Sequence, residues 1–343
     1  MGNKKIVWFN KTFSSVHSAL QLIRIGDIEK KYELIASSQN PHALVKLTSD
    51  QFFLEPNELK GNSYIEWCLN FCLENNINIF VPGKEATLIS ERSDLFKSRG
   101  IRLLLATNKQ NIDLINNKQR FYETVRCDIA PPAKWKACSN LDEFDKAFIE
   151  ISNSCKSVCI KPAVSVYGIG FRRICTDRTA LKIFTSGNIY KIDLLSLRAM
   201  LSEVESFQPL LVMEYLDGNE YSVDCLADYG ILKCAIARKK PLIIGDGQII
   251  VDRKDINIAC SQIINQYHLN GMVNIQFREG QDGLCILEVN PRMSGGIAMA
   301  CLAGPNLPYL GLAGFDQGYD QISIDPIKYG LRVGETNSAT ILI

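Results

Sequence analysis

Short apolar runs alternate with amphipathic segments through the first hundred residues of the chain. Patterns typical of buried strands occur at 6–9, 32–36, 52–54, 78–81 and 101–105. Helical spacing of apolar positions occupies 15–25, 63–74 and 85–97. Because strands that alternate with helices form parallel sheets, this order predicts a parallel βαβ domain with helices on both faces.

The pattern changes near residue 110, where we place a domain boundary. The stretch 112–123 is polar and helical, and Pro131 and Pro132 then interrupt regular structure. Ser139 is expected to cap the next helix, because acidic residues follow it in the first turn. Residues 177–207 are expected to be mostly helical.

One lysine interrupts an otherwise apolar strand pattern at 157–162. A buried ammonium group without a counter-charge shifts its pKa, so Lys161 needs a partner of opposite charge. A bound phosphate group would supply that charge. The alternative is a lysine that extends from the strand end into solvent.

A second polar cluster occupies a predicted hairpin, with strands at 274–278 and 286–292 and a Gly/Asp-rich turn between them. Period-two alternation directs Glu288, Asn290 and Arg292 to one face, and Gln276 lies on the neighbouring strand. Carboxylate and amide oxygens suit Mg²⁺ that bridges phosphate oxygens, and arginine suits a transferring phosphoryl group. The alternative is a polar strand face that simply meets water.

These residues also carry a family resemblance. Gln276, the run 288–292 and the small residues that open an apolar helix at 294–303 resemble the metal-binding end of ATP-grasp enzymes. Among these enzymes, the sequence resembles the carbamoyl phosphate synthetase large subunit and its single-copy relatives. It implies a fold of mixed α/β and α+β class, in which a parallel βαβ domain precedes a two-lobed ATP-grasp domain. The implied boundaries are 1–110 for the first domain, 111–210 for the small lobe and 211–343 for the large lobe.

The resemblance also implies roles for residues along the chain. Lys118 and Lys161 are similar to the two phosphate-binding basic residues, although Asn117 replaces the acid that usually precedes the first. The residues that would contact the nucleotide are the loop residues Gly168 and Gly170, the adenine hinge Met213, Glu214, Tyr215 and Leu216, and Glu220 at the ribose. The loop has fewer glycines than is usual in the family. Lys118 could instead be an ordinary surface lysine of a helix, without a phosphate-binding role. The segment 210–224 could instead be an ordinary hairpin that does not contact the nucleotide.

The activity implied is that of an ADP-forming ligase that activates a carboxylate as an acyl phosphate for attack by an amine. ATP and Mg²⁺, with Mn²⁺ as the substitute, would be the cofactors. Gln276, Glu288 and Asn290 would bind the metal, and Arg292, Lys161 and Arg238 would act in catalysis. For Arg238, a solvated basic strand end is the alternative. The open alternatives in function are an ATP-binding regulatory module and a kinase-like protein that releases a phosphorylated product.

Composition narrows the range of partners. The formal net charge of +1 gives no basis for binding nucleic acid, and no apolar run reaches the length of a membrane span. Twelve cysteines are scattered through apolar surroundings, which indicates reduced thiols and a cytoplasmic protein. The expected partners are small carboxylate and amine substrates. The sequence does not identify either substrate, and a homodimer, common in the family, is an open expectation.

Overall fold

The chain folds into two units in a computed structural model that describes residues 4–165, 168–241, 245–336 and 339–342. The larger unit consists of residues 1–113, 221–276 and 289–343. The smaller unit consists of residues 114–220 and 277–288. The division at 1–110, 111–210 and 211–343 that the sequence suggested stays a prediction.

The first 116 residues alternate strands with helices. The strands are β1 (Lys5–Phe9), β2 (Tyr32–Ser38), β3 (Gln51–Leu54), β4 (Ile79–Val81) and β5 (Arg102–Leu103). The helices are α1 (Ser15–Gly26), α2 (Gly61–Glu74), α3 (Ala86–Glu91), α4 (Ser93–Lys97) and α5 (Lys109–Asn116). All strand pairs are parallel, in the order β3-β2-β1-β4-β5. The predicted parallel βαβ domain is confirmed.

The next stretch, through residue 214, forms most of the smaller unit. Its elements are α6 (Lys118–Thr124), β6 (Trp135–Cys138), α7 (Leu141–Ser154), β7 (Val158–Pro162), β8 (Arg172–Cys175), α8 (Ala180–Thr185), β9 (Lys191–Asp193), α9 (Leu194–Leu201) and β10 (Leu210–Glu214). The sheet order is β6-β10-β7-β8-β9, and β10 is antiparallel to both neighbours. Phe144, Ile160 and Val212 belong to one buried apolar cluster, so α7 covers this sheet.

The remaining elements are β11 (Glu220–Asp228), β12 (Ile231–Lys239), β13 (Gln248–Val251), α10 (Lys254–Gln266), β14 (Gly271–Glu279), β15 (Leu284–Asn290), α11 (Ile297–Cys301), α12 (Leu307–Gln317) and β16 (Arg332–Val333). Single 3₁₀ turns lie at Leu44–Leu47 and Tyr319–Gln321. The strand order is β15-β14-β11-β12-β13-β16. Strands β14 and β15 are neighbours joined by only four residues, and Gly280 N donates to Gly283 O over 2.8 Å. The predicted hairpin is therefore confirmed.

The larger unit has a continuous core that combines its N-terminal and C-terminal parts. Leu34 of β2, Ile236 of β12 and Phe315 of α12 belong to the same buried cluster. Helix α1 packs against α11 and α12. Helix α1, which follows β1, is therefore fixed to the helices that follow β15.

Several helix predictions need correction. The helix predicted at 85–97 is divided at Arg92, where φ is −119° and ψ is 28°. The helix predicted at 112–123 is divided at Asn117, whose side chain accepts a hydrogen bond from Arg120 N and so caps α6. Such caps satisfy backbone N–H groups that a continuous helix would bond internally.

The cap predicted at Ser139 was wrong by one position. Asn140 caps α7 by accepting from Glu143 N, while Glu143 Oε2 accepts from Ser139 N over 2.7 Å. The arrangement resembles a capping box, except that the glutamate accepts from the residue before the cap. The prediction that 177–207 is mostly helical was also wrong, because β9 and loops separate the short helices α8 and α9.

The cysteines and helix lengths agree with the expectations from composition. All twelve cysteines are free thiols, and most are buried. Within the described ranges, no helix combines the length and apolar composition needed to cross a bilayer.

We expect Gly83→Ala to lower the free energy of unfolding by about 1–3 kcal/mol, as overpacking typically does. A Cβ at Gly83 would lie 2.2 Å from Asn10 O and 2.5 Å from Lys11 O, and backbone atoms cannot easily move away. Urea denaturation would measure the change. Gly334→Ala is the matched control, because its Cβ would meet nothing within 4 Å. Equal stability of the two variants would contradict the close approach after β1.

Candidate functional site

Two lysines and one glutamate of the smaller unit form a charged cluster. Lys118, the first residue of α6, is 8% exposed, and its Nζ lies 3.6 Å from Glu288 Oε2 on β15. Its Nζ also donates to Ser165 O over 3.0 Å. Buried lysines are usually paired, so the prediction that Lys118 is more than a surface lysine agrees with its burial.

Tyr122 holds the second lysine of this cluster. It lies one helical turn after Lys118, so both side chains share a face of α6. Its hydroxyl donates to Leu287 O over 2.5 Å and accepts from Lys161 Nζ over 2.8 Å. Tyr122 therefore sets the position of the Lys161 ammonium group. The sequence analysis assigned Tyr122 no role, although its i,i+4 spacing from Lys118 was a usable signal.

The two lysines have perturbed acidities. Burial lowers the pKa of Lys161 below its ordinary value near 10.5. Burial also lowers the pKa of Lys118, an effect that the Glu288 carboxylate partly opposes and that the positive charge of Lys161 reinforces. The lowered pKa of Lys161 agrees with the expectation that an ammonium group in this strand needs an anionic partner. A bound anion would oppose both shifts, because a nearby negative charge stabilises the charged form of each ammonium group.

The loop after β7 carries the glycines expected to approach phosphate. Gly168 and Gly170 have φ values of +69° and +82°, which favour glycine. A Cβ at Gly170 would also lie 2.6 Å from the ring of Pro162. Both residues are exposed. Val166 and Tyr167, also part of the predicted loop, lie outside the described residues.

The predicted adenine hinge begins in the last two residues of β10 and continues beyond the strand. Met213 is buried and pairs with Cys159 and Trp135 on the flanking strands. Glu214 N donates to Lys134 O over 2.9 Å, and Leu216 is 5% exposed.

Cationic side chains surround Tyr215 in the same segment. The guanidinium carbons of Arg173 and Arg278 lie 4.7 and 5.4 Å from its ring centroid. Arg278 also pairs with Glu220 at 3.4 Å. The carboxylate predicted to bind ribose is therefore already engaged with a cation, which fixes its position.

A buried ion pair organises the polar residues of the larger unit. Arg238 is 2% exposed, and its Nε and Nη2 both donate to Asp224 Oδ2, over 3.0 and 2.8 Å. Nη2 also donates to Ser222 Oγ and to Ser294 Oγ. The alternative interpretation, in which Arg238 lies at a strand end exposed to solvent, is therefore wrong. Its catalytic role stays a prediction, and its contacts indicate a positioning residue.

Sequence reasoning missed the partners of Arg238. Asp224 is fully buried, and Asn274 Nδ2 donates to its Oδ1 over 3.2 Å. Gln276 Nε2 in turn donates to Asn274 Oδ1 over 3.3 Å. Because Asn274 holds the nitrogen of this amide, Oε1 of Gln276 is the atom that would coordinate a cation.

Asn290, the last residue of β15, lies close to Arg292, which follows the strand. Arg292 N donates to Asn290 O over 2.7 Å, and Arg292 Nη2 lies 3.5 Å from Asn290 Oδ1. The guanidinium carbon of Arg292 is 4.7 Å from the ring centroid of Phe13. Strand β15 thus presents Glu288 and Asn290 two positions apart, with Arg292 two positions further along the chain.

The donor set fits magnesium better than a soft metal. Of the three predicted ligands, Glu288 in the smaller unit has a partly exposed carboxylate, and Asn290 and Gln276 in the larger unit have amide oxygens. Their common coordination of a metal stays a prediction. Mg²⁺ prefers a few protein oxygens completed by water and phosphate. Across the described residues, no group of three or more His, Cys, Asp or Glu side chains could hold a metal ion.

Comparison with known protein sequences gives a consistent set of relatives. A family model described as ATP-grasp in the biosynthetic pathway with Ter operon matches residues 206–339. The arginine-specific large chain of carbamoyl phosphate synthase from Bacillus subtilis is 23% identical, covering 82% of this chain and 26% of that protein. The large chain from Clostridium acetobutylicum is also 23% identical, covering 82% of this chain and 27% of its own length. The chain thus spans about a quarter of the length of these relatives.

Solved structures resemble nearly the whole chain. N5-carboxyaminoimidazole ribonucleotide synthetase, determined as an ADP complex, gives a TM-score of 0.65 at 12% identity, covering 97% of this chain and 80% of that one. The biotin carboxylase domain of 2-oxoglutarate carboxylase from Hydrogenobacter thermophilus, in complex with MgADP and bicarbonate, also gives 0.65, at 13% identity. That match covers 96% of this chain and 73% of that chain. At these identities the likeness is one of fold.

We expect the stability difference between Lys161→Met and the wild type to depend on pH. The folded-state pKa of Lys161 lies below 10.5, so between these two values the unfolded chain binds more protons than the folded chain. Wild-type stability should therefore rise with pH in this window, and any advantage of the methionine variant should shrink as the pH approaches 10.5. Urea denaturation at several pH values would measure it.

The control is Lys182→Met, which removes an exposed lysine of α8. The difference in the free energy of unfolding between this control variant and the wild type should not show the pH dependence expected for Lys161→Met. If the two variants behaved alike over the whole pH range, Lys161 would be a solvated lysine.

Proposed function

We propose that the chain is a member of the ATP-grasp superfamily and an ADP-forming ligase that joins a carboxylate to an amine, as the matching family model, the relatives and the shared fold support. The observation that supports this most directly is the pairing of Lys118 with Glu288 beside the Tyr122–Lys161 hydrogen bond. Two desolvated cations suit the phosphates of a nucleotide, and the carboxylate suits its magnesium ion. A regulatory nucleotide sensor needs adenine and phosphate contacts but no such full set of phosphoryl-transfer groups.

The proposed reaction has two steps. An oxygen of the substrate carboxylate attacks the γ-phosphorus of ATP, the bond from this phosphorus to the β,γ-bridging oxygen breaks, and ADP leaves. The amine nitrogen then attacks the acyl phosphate carbon, phosphate leaves with the bonding electrons, and the nitrogen loses a proton. Phosphorylation is needed because an unactivated carboxylate has no good leaving group.

The chain's own residues would act mainly through charge. Lys118 and Lys161 would bind the phosphates in a poorly hydrated setting, where charge interactions are stronger than in water. Arg292 would stabilise negative charge on the transferred group. Glu288, Asn290 and Gln276 would hold Mg²⁺, with Mn²⁺ as the substitute, and the metal would neutralise phosphate oxygens.

The nucleotide base would bind beside the segment 213–216, with Glu220 near the ribose and Gly168 and Gly170 near the phosphates. We infer a cytoplasmic location, because free thiols and ATP chemistry both suit that compartment. The homodimer stays a prediction.

Hydroxylamine trapping would test the proposed reaction. With ATP, Mg²⁺ and a panel of acids that includes bicarbonate, acetate, L-glutamate and L-leucine, a ligase should release ADP and form an acyl hydroxamate without any amine. The hydroxamate should match the ADP released, because hydroxylamine captures the acyl phosphate. Glu288→Gln should abolish both signals, whereas Asp282→Asn, in the exposed turn after β14, should change neither.

Other results would favour the alternatives. A kinase-like protein would accumulate a stable phosphorylated product that hydroxylamine does not capture. A protein that binds MgADP but releases no ADP with any acid would be a regulatory module, and the ligase proposal would fail.

We expect Arg292→Ala to lower kcat by about 10²–10³-fold, as the loss of one charge-stabilising group does in other enzymes. The KM for ATP should change much less, because an interaction confined to the transition state contributes little to ground-state binding. Steady-state kinetics would separate the two quantities. The control is Arg99→Ala, an exposed arginine of the same unit. Equal losses in kcat and ATP affinity would instead make Arg292 a ground-state anchor.

A further inference from the structure

The larger unit contains a cavity at the carboxyl ends of its parallel strands. Phe9 ends β1, Val81 ends β4 and Leu104 follows β5, and all three line the cavity. Ligands of parallel α/β sheets bind at this edge, where strand ends and loops leave a crevice. The cavity is also lined by Arg292, to which the proposed function gives a role at the transferred phosphoryl group.

Most of the cavity wall is apolar. Its members include Phe9, Phe13, Val16, Ile23, Met272 and Leu312. The space that water-sized atoms can reach is about 80 Å³. Since a single water needs about 10–15 Å³ of such space, the cavity has room for roughly five to eight non-hydrogen atoms. A branched aliphatic side chain or a small ring fits that size. Bicarbonate is smaller and would leave much of the apolar surface exposed to water.

One polar atom in the wall lacks a partner. Asn270 is 2% exposed, and its Oδ1 has no hydrogen-bond partner among the residues that the structure describes. Its Nδ2 lies 3.4 Å from Leu105 O, which fixes which end of the amide is the oxygen. An unpaired buried acceptor is unfavourable, so this position suits a ligand that brings an N–H or O–H donor.

The second asparagine of the cavity wall is different. Asn10 Nδ2 donates to Tyr64 OH over 2.8 Å, and Asn10 Oδ1 accepts from Gly83 N over 2.9 Å. Asn10 is therefore engaged in holding the loops together. Of the two asparagines of this wall, Asn270 is the one whose carbonyl oxygen has no hydrogen-bond partner among the described residues.

We propose that the carboxylate substrate is a small apolar acid that carries one N–H or O–H donor, as an apolar α-amino or α-hydroxy acid of about leucine's size does. This proposal rests on the ligase function proposed above. The carboxylate lies by Arg292, the apolar tail fills the cavity, and the donor bonds Asn270 Oδ1. The apolar wall also keeps water from the acid as it becomes activated.

Three acids that share one carbon skeleton would test the proposal by ADP release and by calorimetry in the presence of MgADP. L-leucine and 2-hydroxy-4-methylpentanoate carry a donor, whereas 4-methylpentanoate carries none. We expect at least one of the first two to bind at least 10-fold more tightly than 4-methylpentanoate. L-aspartate and bicarbonate should give neither binding nor turnover at the same concentrations.

Two variants would locate the binding to this cavity. Ala86→Leu adds bulk to a lining residue, so the Kd of the preferred acid should rise at least 10-fold. Asn270→Leu should remove the preference for acids that carry a donor. Ala199→Leu, the same change on an exposed face of α9, should have no effect. Thermal unfolding would confirm that each variant is folded, and its Kd for MgADP should match the wild type.

The outcomes separate this proposal from the proposed function. Turnover with polar acids alone, or apolar binding that Ala86→Leu does not weaken, would overturn the cavity proposal and leave the ligase intact. Binding of the apolar acid that Ala86→Leu weakens, without ADP release, would support the cavity and refute the ligase. Absence of binding by all three acids to a protein that binds MgADP would also overturn the cavity proposal.

Discussion

The smaller unit keeps two ammonium groups in a setting with little water, and the rest of the proposed chemistry depends on this constraint. Lys161 donates to a neutral hydroxyl, Tyr122 OH, and Lys118 lies 3.6 Å from the carboxylate of Glu288. Each desolvated cation raises the free energy of the empty protein. An anion that neutralises both would bind favourably for the same reason, so the lowered pKa values indicate an anion site as well as a local cost in stability.

The cavity of the larger unit supplies the complementary property, which is exclusion of water. Acyl phosphates hydrolyse in water, and a ligase that activates its acid needs to keep that bond dry until the amine arrives. Apolar residues such as Phe13 and Met272 provide such a wall. The guanidinium of Arg292 packs over the Phe13 ring, so its charge faces an environment in which electrostatic stabilisation is strong.

The sequence predicted those features that short stretches encode and missed those that depend on strand register. Lys161 was recognisable because a lysine inside an apolar strand is unusual, and the hairpin that bears Glu288 and Asn290 followed from its turn composition. Asp224 could not be recognised in the same way. Its contact with Arg238 exists because β11 and β12 pair with Ser222 opposite Arg238, a register that no local pattern determines. The helix break at Asn117 was missed because capping competes with helical periodicity there.

The buried ion pair explains how the segment after β15 keeps its shape. Arg238 bonds both Asp224 and Ser294 Oγ, and a Cβ at Gly296 would lie 2.5 Å from Arg238 Nη1. Residues 294–296 therefore lie against a guanidinium that is itself fixed by a carboxylate. Upstream, Arg292 N donates to Asn290 O, so the segment is held at both ends. Electrostatic catalysis requires groups that do not reorganise during reaction, and this arrangement provides that rigidity.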